Sequence, residues 1–239
     1  MVFIVSLRRT GNASQRRKPA YATWTLIALT IAVYLLQASL GDNEASELML
    51  RFGVTPEIVN GGERPYGGFP VWLTPLTALF LHGSWDHLTG NMLYLWMFGD
   101  DVEDALGPLR FVLLYLLSGI CGAIGYVVLD GGATLPLLGA SGCVAGVVAA
   151  YLMLKPCEGV HLALPRFDVH LSTSWAVGSW GLLQLFQVLW HREDEAFAML
   201  AHGGGLLGGA AAFILLSPRG LKLFQCLSAR NDRPPDTAA

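Results

Sequence analysis

Apolar residues in this chain fall in long, nearly unbroken runs, not in the alternating or three-and-four spacing of half-buried elements. Six runs stand out, at about 20–40, 81–98, 109–129, 140–154, 171–190 and 197–216. At 1.5 Å per residue, about 20 apolar residues cross a hydrocarbon core of about 30 Å, so each run is read as a bilayer-spanning helix. The runs lack the period-two alternation of a transmembrane barrel. The fourth, 140–154, is noticeably short. The first follows Arg16-Arg17-Lys18, exceeds the 7–15 residues of a cleavable signal core, and shows no small-x-small cleavage site; it is read as a retained span. Polar stretches divide the chain into an N-terminal segment at 1–19, one membrane domain at 20–216, and a polar, proline-containing tail at 217–239. The connection at 41–72, which holds "NGGERPYGG", is long enough to contain short helices, and loops of that length are commonly functional or disordered.

Composition strengthens the membrane assignment. Of 239 residues only 14% are charged, against about 25% in a soluble domain, and mean hydropathy is +0.48. The expected fold class is therefore an all-α membrane protein of six transmembrane helices. Lys and Arg set the orientation. With the N-terminus inside, twelve fall on inner segments and only Arg51, Arg64 and Arg192 on outer ones, so both termini are expected in the cytoplasm. The outer connections are then 41–72, 130–139 and the acidic "HREDE" at 191–195. A net charge of -3 gives no support for a nucleic-acid partner. Cys121, Cys143, Cys157 and Cys226 show no CxxC spacing and are expected as small hydrophobes, not as a disulfide or metal framework.

Polar side chains inside spans are costly and are candidates for function. Span two reads "LHGSWDHLTGNMLYLWMFGDD", span four opens "GASG", and span six carries "AHGGGLLGG". Counting back from Lys155-Pro156, Ser141 lies about 20 Å from the inner end of span four; counting back from Ser217-Pro218, His202 lies about 21 Å from that of span six. The two therefore share a level roughly 10 Å below the outer face of the bilayer. Gly142 and Gly146 on span four, and Gly205 and Gly209 on span six, form small-xxx-small faces that would let the backbones approach. Ser141 then becomes a nucleophile with His202 as its general base. No acidic residue stands where a third member is needed, which leaves a dyad. His87 and Asn91, four apart on one face, and the N–H of Ser141 at a helix start can donate to an oxyanion.

Each of these residues has a plainer explanation: serine and glycine for packing, histidine as a core residue, asparagine as an interhelical bond. Their occurrence together at compatible depths favours chemistry. GxSxG fails because position 143 is Cys143, and HExxH is missing. His82 and His87, five apart, have no third metal ligand in sequence. Asp100, Asp101 and Asp130 sit at span ends, and His161, His170 and His191 read as loop or interface residues. Glu103 and Arg110 are expected as an ion-pair cluster in a cytoplasmic loop.

The segments "HGSWDHLTGNMLYLWMFG", "GASG" and "AHGGGLLGG", in that order on spans two, four and six, resemble the rhomboid family of intramembrane serine proteases. The resemblance covers about residues 20–216 and implies a six-helix bundle with the serine heading a short fourth helix. By matching position it implies Ser141 as nucleophile, His202 as base, and His87 and Asn91 in the oxyanion hole. Gly139 falls on the GxSG glycine, and Gly205 and Gly209 on the close-packing glycines of the last helix. Two departures stand out. Trp72 is followed by Leu73 and not by the arginine many relatives carry, and Ala145 stands where some place a tyrosine against the histidine.

The expected function is an intramembrane serine endopeptidase that hydrolyses peptide bonds in or near transmembrane segments. No cofactor or metal is expected. The expected partners are the lipid bilayer and transmembrane protein substrates, single-pass by resemblance, with no nucleic acid and no assignable oligomeric state. The expected location is a bacterial inner membrane, as a multi-pass protein. The alternative is a non-catalytic rhomboid-like scaffold or chaperone that binds transmembrane clients.

Overall fold

An apolar run inside a bilayer must satisfy its backbone polar groups internally, and a helix does so. The structure, a computed structural model, describes residues 6–9, 19–67, 69–164, 167–172, 174–175, 177–178, 182 and 193–224. The long helices are α1 (Tyr21–Ala38), α5 (Trp85–Leu106), α6 (Pro108–Leu129), α7 (Ser141–Leu154) and α8 (Glu193–Leu216). Between α1 and α5 lie α2 (Asp42–Phe52), α3 (Pro56–Val59) and α4 (Thr74–Thr77). By length and composition α1, α6 and Met199–Leu216 of α8 could cross a membrane. The fifth expected span, 171–190, begins on residues that belong instead to a β-strand, and most of its remainder lies outside the described residues.

α7 sits at the centre. Its 14 residues reach only about 21 Å, and every residue from Gly142 to Tyr151 is buried. A helix that is apolar all round belongs inside a bundle, and α5, α6 and α8 surround it. Close approach among α6, α7 and α8 comes from glycine on all three. A Cβ on Gly205 would land on the Gly142 carbonyl, and one on Gly209 would land on Gly146 Cα. The contacts run 142 to 205 and 146 to 209, so α7 and α8 are parallel. α6 joins them antiparallel: a Cβ on Gly122 would lie 2.7 Å from the Ala201 oxygen, and one on Gly204 2.6 Å from the Cys121 oxygen.

α5 starts later than the apolar pattern suggests, because the Ser84 side chain accepts from the His87 N–H at 3.2 Å and caps the helix. It also runs on through "GDDVEDAL" to Gly107, whose φ of +81° suits glycine, and Pro108 opens α6 at once. Glu103 corrects an expectation. It is buried and accepts from Ala22 N at 2.9 Å, Thr23 N at 2.7 Å and Thr23 Oγ1 at 2.7 Å, while Arg110 is exposed and does not pair with it. The carboxylate caps the N-terminus of α1, which has no side-chain cap of its own. At the other end of α1, the Gln37 amide donates to the His82 carbonyl at 2.6 Å and accepts from the His82 N–H at 3.3 Å.

The 41–72 connection docks on the segment leading into α7. Val54 and Leu137 exchange two backbone hydrogen bonds, of 3.1 and 2.8 Å, Glu57 N donates to the Ala133 oxygen, and Asn60 Nδ2 to the Gly131 oxygen. At the far end of α7, Lys155 bridges Asp101 at 3.1 Å and Glu158 at 3.0 Å. Beyond it lies an antiparallel sheet that the sequence pattern did not suggest, in the order β1 (Ser6–Arg9), β2 (Gly159–Leu164), β3 (Phe167–Ser172). Arg9 pairs with Val160, so the N-terminal segment and the connection after α7 share one side of the bundle. Cys157 is disulfide-bonded, contrary to expectation, while Cys121 and Cys143 are free. Cys226 and residues 225–239 of the tail lie outside the described residues.

Candidate active site

Ser141 is the first residue of α7 and is half-buried where the helix meets the 131–140 segment. Its N–H is one of the orphan donors of that terminus. The turn ahead of it is fixed by Gly139, whose N–H donates to the Ala78 oxygen at 2.9 Å. Gly139 has a φ of +110°, and a Cβ there would lie 2.6 Å from His87 Cε1 and 2.8 Å from His87 Nε2. Only glycine meets both demands: backbone handedness, and an imidazole pressed against the chain.

His202 lies within α8, one residue after Ala201. A Cβ on Gly142 would be 3.5 Å from the Ala201 oxygen. The residue after Ser141 thus faces the residue before His202 across the α7–α8 contact. Among the described residues the Ser141 hydroxyl makes no hydrogen bond. Serine and base are often too far apart to bond before substrate binds.

Asn91 and His87 stand one turn apart on α5, facing this turn. Asn91 is buried, and its Nδ2 lies 3.1 Å from His82 Nε2. Ala140 N–H points at the same His82 nitrogen from 3.5 Å. Two donors on one ring nitrogen require a lone pair there, so the network assigns the His82 proton to Nδ1. One amide hydrogen of Asn91 is spent on His82. A Cβ on Gly139 would lie 3.5 Å from Asn91 Nδ2.

Sequence reasoning passed over His82, weighing it only as a metal ligand. It is wholly buried, held through its backbone by Gln37, and packed edge-on against His87 with ring centroids 5.1 Å apart. The available signal was a histidine nine residues before Asn91, just outside the helix start. Also missed was the face Ser118, Gly119, Gly122 and Gly125 on α6, whose small-residue spacing resembles those noticed on α7 and α8. Ser118 donates to the Leu114 oxygen at 2.6 Å and lies against Gly146 and Gly209. Ala145 is buried on α7, and Trp72 is 76% exposed.

Residues 70–219 match the family model described as a rhomboid domain. The chain is similar to "Rhomboid protease GluP" of Bacillus subtilis, 34% identical over 90% of this chain and 39% of that protein. It is also similar to "Rhomboid-like protein 11, chloroplastic" of Arabidopsis thaliana, 36% identical over 38% of this chain and 32% of that protein. With "Rhomboid protease GlpG" of Klebsiella pneumoniae it shares 26% identity over 84% of this chain and 66% of that protein. The chain thus spans between about a third and two thirds of these relatives.

Proposed function

The chain belongs to the rhomboid family, and from that membership and the geometry around α7 we propose that it is an intramembrane serine endopeptidase acting through Ser141 and His202. The observation that carries the proposal is the glycine-mediated contact that sets the residue after Ser141 against the residue before His202. His202 takes the Ser141 proton, and the alkoxide attacks the scissile carbonyl to form a tetrahedral intermediate. The N–H of Ser141, a ring N–H of His87 and the second amide hydrogen of Asn91 donate to its oxyanion. His202 then protonates the leaving amine, and a water deprotonated by the same imidazole hydrolyses the ester. His82 is a positioning residue: it touches neither substrate nor nucleophile and holds the amide of Asn91.

In the same proposal the bundle has six spans with cytoplasmic termini. The positive-inside count and the pairing of β1 with β2 on one side of the bundle support this arrangement. The substrates are transmembrane proteins, single-pass by resemblance, whose helices must unwind locally because helical carbonyls are already bonded. Bacterial relatives support an inner-membrane location. The scaffold alternative lacks its expected signature, since both serine and histidine are present.

The test is cleavage of a model transmembrane substrate by purified protein, with labelling by a serine-directed covalent inhibitor. Ser141→Ala and His202→Ala should both lose cleavage while remaining folded. Undiminished cleavage by Ser141→Ala would refute the dyad.

A further inference from the structure

Cys157 lies three residues beyond the end of α7, is exposed, and is disulfide-bonded. The chain has four cysteines, of which Cys121 and Cys143 are free, so within one chain Cys226 is the remaining partner. A separate contact brings the tail to this place. The Phe224 N–H donates to the Met153 oxygen at 2.8 Å, taking up one of the carbonyls that the last turn of α7 leaves unpaired. Ahead of it Leu221 and Leu223 pack against the core, after a turn at Gly220 with a φ of +93°. Cys226 follows Phe224 by two residues, a reach of at most about 7 Å, and a disulfide needs its Cα atoms within about 7 Å. Phe224 has a φ of +55°, in the left-handed region that aromatic residues rarely adopt. Such a residue persists where its surroundings over-determine it, and a covalent tie two residues on would do so.

α7 carries Ser141, α8 carries His202, and glycine contacts join the two helices near those residues. A bond from Cys157 to Cys226 would join the segments that leave the C-terminal ends of the same two helices. It closes a loop of about 70 residues that contains all of α8. In the proposed orientation both cysteines face the cytoplasm, where small thiols keep most cysteines reduced and a disulfide is usually transient and regulatory. The compartment rests on that reading; the pairing does not.

We propose that Cys157 pairs with Cys226, and that the pair is a reversible thiol–disulfide switch tethering the tail to the inner end of α7. The oxidant is a small disulfide of the glutathione type. The exposed Cys157 thiolate attacks one of its sulfurs, which forms a mixed disulfide and releases one glutathione thiolate. The Cys226 thiolate then attacks the Cys157 sulfur and releases the second. The two cysteines lose two electrons, the glutathione disulfide gains them, and the two thiol protons end on the released glutathiones.

The purified full chain is equilibrated with oxidised glutathione or with a glutathione buffer of cytosolic poise, then alkylated under denaturing conditions and mapped by mass spectrometry. The oxidised sample should yield a peptide linking Cys157 to Cys226, with Cys121 and Cys143 alkylated. A Cys157 that is free, or linked to a second chain, would overturn the pairing. The cytosolic buffer should remove the bond and oxidised glutathione should restore it; a bond that survives the first buffer would be structural and overturn the switch. The oxidised protein should unfold about 5–10 °C above the reduced one. Cys157→Ser and Cys226→Ser should each unfold at the reduced temperature in both buffers. A shift that persists in either variant, or no shift in the wild type, would overturn the tether. In sealed cells treated with a permeant reductant, a membrane-impermeant maleimide should label Cys157 only after the membrane is opened. Labelling in sealed cells would overturn the cytoplasmic switch and fault the orientation, while the peptide map still decides the pairing. None of these measurements requires cleavage, so their failure is distinct from failure of the Ser141–His202 dyad.

Discussion

The approach of α7 to α8 can be broken by a single methyl group. In Gly205→Ala the new Cβ would lie 2.7 Å from Gly142 Cα and 2.8 Å from Gly142 C. Carbon pairs settle at about 3.5 Å or more, so the helices must part by about 0.8 Å at that level. The neighbours are backbone atoms and cannot swing aside as a side chain would. Overpacking of this kind costs about 1–3 kcal/mol. The same displacement separates the turn carrying Ser141 from the turn carrying His202, and a 1 Å error in a reacting geometry lowers rates by about a hundredfold. Two measurements apply: the unfolding temperature of purified protein, and initial rates on a model transmembrane substrate. Gly203→Ala is the control, because a Cβ there meets nothing within 4 Å. It should leave the rate unchanged and the stability equal or slightly raised, since alanine favours helix over glycine by about 1 kcal/mol. If Gly205→Ala matched Gly203→Ala in both measurements, the backbone contact would not be what positions the site.

Other perturbations test different joints. Glu103→Gln replaces one accepting oxygen with a donor that faces the donors of Ala22 and Thr23, and should lower stability by about 1–3 kcal/mol in a denaturation titration. Arg110→Ala should be nearly neutral; an equal loss there would restore the surface ion pair as the anchor. His82→Phe removes the acceptor for Asn91 and should lower kcat about tenfold with KM little changed, through a loosened oxyanion donor. A rise in KM with unchanged kcat would place His82 in substrate binding instead.

The apolar runs made α6 and α7 legible to within a residue, because lipid and a buried centre both demand uninterrupted apolar sequence. Ser141 and His202 could be picked out because a polar group costs most where its surroundings are least polar. Glu103 was misjudged because its partners lie 80 and 81 residues away at a helix end, a pairing that no local spacing encodes. His82 was overlooked because its worth depends on Asn91 and Ala140 converging on one nitrogen, which only the packed bundle brings about. The glycines of α6 were visible but had no apparent partner until α8 was seen to run antiparallel against them. The sheet was missed because β1 meets β2 across some 150 residues of intervening chain, and the disulfide at Cys157 because spacing carried no sign of it.

The bridge between Val54 and Leu137 ties two distant parts of the chain thermodynamically. Val54 stands two residues after the end of α2, and Leu137 stands two residues ahead of Gly139. Whatever displaces the 41–72 connection therefore reaches the turn before Ser141 through a pair of backbone bonds. Linkage makes any such effect reciprocal: a ligand of that connection that tightens inhibitor binding at Ser141 by some factor must itself be held more tightly, by that factor, once the inhibitor is bound.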